Sequence, residues 1–121
     1  MDLSKAVSKE IKQAGSALAK KFGASQVILF GSHAYGHPIE DSDVDICVIL
    51  DFSGKRKIEV MREIRRELAD IVSSPLDILV YSEGEFNEKA MLTATLEHKI
   101  LTQGIKVYEQ LGRRTRMVQG S

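Results

Sequence analysis

The 121-residue sequence predicts an α/β (α+β) fold, a small mixed β-sheet flanked by helices. Three observations carry that expectation. The chain reads helix, strand, strand, helix, strand, helices. Its three strand signals are short, apolar and bounded by turn residues. The segments around them carry apolar residues at three- and four-residue steps, the spacing of one helix face.

The elements follow in order. Leu3, Val7, Ile11, Ala14, Leu18 and Phe22 define an amphipathic opening helix, with Gly23 at the position of a helix-ending glycine. Residues 25–30, SQVILF, form the first strand. Gly31 to Pro38 is turn chemistry with room for one helical turn from Ser32. Residues 42–50, SDVDICVIL, form the second strand, and FSGKR the loop after it. Ile58, Met61, Ile64, Leu68 and Ile71 place a second long helix over 55–72. Pro75 opens a third strand at 76–81, LDILVY, and the remainder from Glu83 to Gln110 reads as helical with a break at Gly104. We therefore expect one domain over residues 1–110 and a disordered basic tail over 111–121.

Composition narrows the function classes. Hydrophobic content of 43% and charged content of 28% are those of a soluble globular domain. Net charge is zero, which argues against nucleic acid as a general partner. Charge is nevertheless segregated. Glu40, Asp41, Asp43, Asp45 and Asp51 form an acidic stretch, and Lys55, Arg56, Lys57, Arg62, Arg65 and Arg66 a basic one. One cysteine, Cys47, precludes an internal disulfide and makes a cytoplasmic location the default. No apolar run is long enough to span a membrane, and no secretory signal core is present.

Several motif-like patterns fail on inspection. Gly31 and Gly36 have the spacing of a phosphate-binding loop, but His37 and Pro38 stand where lysine and Ser/Thr are needed. The run DSDVDI from Asp41 opens like a calcium loop, yet Ile46 and Phe52 occupy the glycine and glutamate positions. His33 and His37 have a helical metal-ligand spacing that Gly36 and Pro38 interrupt. Cys47 lies within a strand without a basic neighbour in sequence, which suits a packed side chain rather than a reactive thiol.

Asp43 and Asp45 remain. Strand alternation puts both on one face with Cys47 and Ile49, while Val44, Ile46, Val48 and Leu50 face the core. Adjacent carboxylates repel, and a hard divalent cation such as Mg²⁺ relieves the repulsion. A solvated strand face, with Asp43 capping the turn, accounts for the pair equally well. Gly31-Ser32 directly after a strand can bring backbone amides up to a phosphate, or can be an ordinary strand-to-helix turn capped by Ser32. Asp77 sits in an otherwise apolar strand, against β propensity. It either completes a three-carboxylate cluster or is a wetted strand end after Pro75.

Taken together, Gly31-Ser32, ten intervening residues, Asp43-Val44-Asp45, and Asp77 between apolar neighbours resemble the DNA polymerase beta-like nucleotidyltransferase superfamily. The short length is most similar to the minimal nucleotidyltransferases, the MNT proteins. The likeness extends over residues 25–110, including LEHKILTQGIKVYEQ near the end. It implies a polymerase-beta-like fold and Mg²⁺-dependent transfer of a nucleotide, AMP from ATP, to a hydroxyl. Gly31 and Ser32 would bind the triphosphate. Asp43, Asp45 and Asp77 would be the catalytic carboxylates and would hold two Mg²⁺ ions, with Asp77 also orienting or deprotonating the acceptor. Relatives often carry an arginine after Gly-Ser, where this chain has His33 and Tyr35, so the resemblance calls for a basic residue from the 55–66 helix or from a partner. The chain has little length left for an acceptor domain. The resemblance therefore implies a partner protein of the helical HEPN type, with this chain as the antitoxin of a toxin–antitoxin pair. A small-molecule transferase with its acceptor site at a homo-oligomer interface, and a non-catalytic partner-binding module, are the alternatives.

Overall fold

A computed structural model of the chain describes residues 9–31 and 43–110. Leu3 and Val7 of the opening helix, Ser32 with the turn after it, and the tail over 111–121 lie outside the described residues. The described elements are α1 (Lys9–Phe22), β1 (Gln26–Phe30), β2 (Val44–Ile49), α2 (Lys57–Leu68), β3 (Leu76–Tyr81), α3 (Glu83–Ala90), α4 (Leu96–Gln103) and β4 (Ile105–Glu109). The strands form one four-stranded sheet in the order β3-β2-β1-β4. Both pairings of β1 are antiparallel and β2 pairs with β3 in parallel, so the sheet is mixed as expected.

The parallel pair follows from chain order, because α2 carries the chain from β2 back to the start of β3. That helix is shorter at both ends than the 55–72 of the apolar periodicity. At its start Arg56 is still extended, and its amide donates to Glu59 Oε1 at 2.9 Å, which caps the first turn. At its end the amides of Ile71 and Val72 both turn back onto the Leu68 carbonyl, so the last apolar residues belong to a turn.

The segment from Glu83 to Gln110 corrects the sequence reading. It is two short helices and a strand, not a broken helix. The first helix ends at Ala90, and Thr95 caps the start of the second, its hydroxyl accepting the His98 amide at 3.0 Å. After Gly104, residues 105–109 pair with β1. Ile105, Val107 and Tyr108 suit a half-buried strand, and five residues are too few for apolar spacing alone to tell strand from helix.

Strand alternation divides the core in two. On one face Val27, Leu29, Val44, Ile46, Val48, Ile78 and Val80 pack with Ile11, Ala14 and Leu18 of α1 and Val60, Ile64 and Leu68 of α2. On the other, Ile28, Phe30, Cys47, Ile49 and Tyr81 pack with Phe86 and Ala90 of α3 and Ile100 of α4. The expected inward set of β2 is correct, but its opposite face is also covered, and helices lie on both sides of the sheet. Each fully buried Leu, Ile or Phe contributes about 1.5–3 kcal/mol to such a core.

Candidate active site

The carboxylates stand on the α3/α4 face of the sheet, at the end where β1 finishes and β2 and β3 begin. Asp45 and Asp77 are register partners across the parallel β2–β3 pair. Neighbouring strands lie about 4.8 Å apart, so the two side chains are adjacent on one face. Asp43 precedes β2 by one residue and is exposed, as is Asp77, while Asp45 is half-buried. Asp45 is opposite Phe30, the last residue of β1, so the chain reaches Gly31 beside it.

Gly31 is held in the left-handed region at φ +77°, where a side chain is strained. A Cβ there would lie 2.0 Å from Asp45 Oδ2. The Gly31 backbone thus occupies the space against the Asp45 carboxylate that any other residue would fill with carbon. This contact accounts for a glycine at the end of an apolar strand better than turn propensity does.

Among the described residues, neither the Asp43 nor the Asp77 carboxylate makes a hydrogen bond or an ion pair. Like charges about 4 Å apart repel by roughly 1 kcal/mol in water and about 4 kcal/mol at a partly buried surface. The Asp45–Asp77 register sets two such like charges side by side across the strand pair. Among the described residues no three His, Cys, Asp or Glu side chains are gathered closely enough to make a ready metal cluster. The donor chemistry still suits a hard cation. These are carboxylate oxygens on one face, two of them neighbours by register, with open surface at Asp43 and Asp77. Mg²⁺ takes only one or two protein carboxylates and completes its shell with water and phosphate oxygens, so a closed cage is not required.

The other expected site residues divide as follows. Ser32, His33 and Tyr35 lie outside the described residues. Of the basic stretch, Lys55 pairs with Glu63, Arg56 with Glu59 and Lys57 with Glu85. Arg65 reaches the carboxylate end, its Nη1 donating to the Leu76 carbonyl at 3.1 Å, one residue before Asp77. No sequence pattern marks that role, because a bond to a backbone carbonyl requires no particular partner side chain. Two concavities of about 260 and 160 Å³ open at the far end of the sheet, the larger lined by Gly23, Ser25, Leu50, Asp51, Ser82 and Glu83. They are remote from the carboxylates, and we assign the chemistry to the latter.

Cys47 stays out of this chemistry. It is wholly buried, and burial, with the nearby Glu97 carboxylate, pushes its thiol up to about 12. A protonated thiol is neither nucleophile nor metal ligand, in line with the packed role expected for it.

A helix-covered mixed sheet of this order, with carboxylates at the start of a parallel strand pair, is the fold of the nucleotidyltransferases. Residues 12–111 match the family described as polymerase beta, nucleotidyltransferase, and the chain belongs to that family. It has the form of the superfamily's minimal members. A solved structure described as that of a putative minimal nucleotidyltransferase is 26% identical, with a TM-score of 0.58, over 87% of this chain and 95% of the other. The protein named "Putative protein adenylyltransferase MJ0604" of Methanocaldococcus jannaschii is 28% identical over 83% of this chain and 96% of its own length. A toxin–antitoxin structure with AMP-PNP shares the fold at 20% identity and a TM-score of 0.56, over 89% of this chain and 82% of that one. Among the described residues no helix is long and apolar enough to cross a membrane.

Proposed function

We propose that this nucleotidyltransferase moves AMP from ATP to a hydroxyl of a partner protein, in dependence on Mg²⁺, as the antitoxin of a toxin–antitoxin pair. The observation that carries the reading is the Asp45–Asp77 register pair with the Gly31 backbone pressed against Asp45. Such a pair tolerates its repulsion if its work is to bind cations at a phosphate. Support for the acceptor comes from the name of the Methanocaldococcus relative, and for the partner from the toxin–antitoxin structure that shares the fold.

In this reading Asp43, Asp45 and Asp77 hold Mg²⁺, and Gly31 with Ser32 cradles the β and γ phosphates. The bound metal supplies charge stabilisation to the attacking and leaving oxygens of the transfer. Gly31 contributes by having no side chain, so that its backbone and the Asp45 carboxylate meet without intervening carbon. Asp77 is exposed at the edge of the sheet, where an acceptor hydroxyl from another molecule can reach it and lose its proton to it. Half-buried Asp45 is the better fixed of the two, which suits a group that holds rather than moves.

The test is transfer of label from ATP labelled at the α phosphate to the protein that co-purifies with this chain. Label should reach that protein only with Mg²⁺, and Asp43→Ala and Asp45→Ala should abolish transfer while leaving the complex intact. Silencing of the partner without any label on it would make the chain a binding module. Label on a small molecule would make it a small-molecule transferase.

A further inference from the structure

We propose that Arg65 is a positioning residue for Asp77, locking the peptide that carries it so that its carboxylate stays beside Asp45. The inference rests on the assignment of these two carboxylates to a divalent cation.

β3 is the outer strand of the sheet, and among the described residues only β2 pairs with it. The Val44 amide donates to the Pro75 carbonyl at 2.8 Å, and the Leu50 amide to the Tyr81 carbonyl at 3.0 Å. Odd-numbered residues of β3 therefore turn their backbone groups toward β2, and even-numbered ones turn theirs outward. The Leu76 carbonyl is the first outward acceptor, on the peptide that joins Leu76 to Asp77. Pro75 just before it has no amide to donate, so its carbonyl alone joins it to β2 at the strand entrance. The Arg65 guanidinium, reaching from α2, donates to this carbonyl. Fixing that peptide plane fixes where the Asp77 Cα–Cβ bond points.

The placement also avoids a conflict. α2 packs on the face opposite the carboxylates, so Arg65 meets the edge of β3 from behind. No ion pair joins it to Asp77, which makes none among the described residues. A guanidinium bonded directly to the Asp77 carboxylate would compete with a metal for its oxygens. Bonded to the backbone instead, it orients the carboxylate and leaves both oxygens available.

Residues that orient a metal ligand typically change affinity about 10–100-fold when removed, and one acting through the backbone belongs at or below the low end of that range. The probe is Mn²⁺ titrated into the full chain with AMP-PNP, followed by electron paramagnetic resonance and read beside the thermal midpoint. Arg65→Ala should raise half-saturating Mn²⁺ by about 3–10-fold with little change of midpoint. Arg65→Lys, which keeps a cationic donor on a long side chain, should recover part of the loss. Asp77→Asn should lose more than either, and excess metal should return transfer activity to Arg65→Ala. If Arg65→Ala binds Mn²⁺ like the wild type while Asp77→Asn does not, Arg65 has no positioning role and the carboxylate site stands. A wild type that binds no Mn²⁺, or an Asp77→Asn variant that binds it normally, overturns the site and this inference together. A lowered midpoint with no recovery by lysine or by excess metal would make Arg65 a stabilising residue only.

Discussion

Asp77 is an exposed carboxylate in the strand LDILVY, next to Asp45 and without a hydrogen bond or ion pair among the described residues. Nothing among the described residues requires its charge. Asp77→Asn keeps the shape, removes the repulsion toward Asp45, and deletes one acceptor and one candidate base. Transfer activity should fall about 100- to 1000-fold, the range for removing one group that stabilises transition-state charge. Unfolding free energy measured with urea should stay level or rise by about 0.5–1 kcal/mol. Activity and stability moving in opposite directions is the signature of a functional carboxylate. A structural one would lose both. The sequence shows that Asp43, Asp45 and Asp77 are out of keeping with strand chemistry, because charge in an apolar run is visible locally. It does not show that Asp45 and Asp77 are partners, which needs the parallel register, nor that Arg65 serves the peptide before Asp77.

At the scale of elements, β2 and β3 are legible as mainly apolar runs and α2 as an apolar stripe at helical spacing, each set off by a turn or cap. The last third of the chain is less so. Its helices have only eight residues each and are started by Ser82 and Thr95 caps, and the first ends at Met91 with neither glycine nor proline to mark it. β4 has five residues whose pattern fits either period. Phe86 and Ala90 bury α3 in the core, and a polar cluster ties its first turn to α2. Lys57 of α2 bridges to Glu85 at 3.0 Å, Lys89 adds a second contact at 3.3 Å, and the Lys57 ammonium lies 5.2 Å from the Tyr81 ring centre. Burial pushes the Glu85 carboxyl up, but hydrogen bonds and charge from Lys57 and Lys89 outweigh it and hold the group below its ordinary 4.5. A depressed carboxylate stabilises the fold above its unfolded value and loses that contribution as pH falls through the folded one. Thermal midpoints should therefore drop as pH is taken below about 4.5, and Glu85→Gln should show a shallower fall over that window.

For the molecule as a whole, one sheet serves two cores. β1, β2 and β3 each send alternate residues into the α1/α2 layer and the α3/α4 layer. Neither layer can separate without stripping the same strands, so residues 9–31 and 43–110 should unfold in one cooperative step. The site sits at one margin of that sheet, where Asp43 and Asp77 meet solvent, and the covered middle gives it a rigid base. That middle contains Cys47, with no exposed surface and its thiol held protonated. Because it is the chain's single cysteine, it is a built-in clock for sheet opening. A thiol reagent should modify the native protein only as fast as the central strand becomes uncovered, and the rate should climb with urea in parallel with global unfolding. Loading the carboxylates with Mg²⁺ and AMP-PNP should slow the same reaction. Occupancy at the margin of the sheet would then be read by a sulfur atom at its centre.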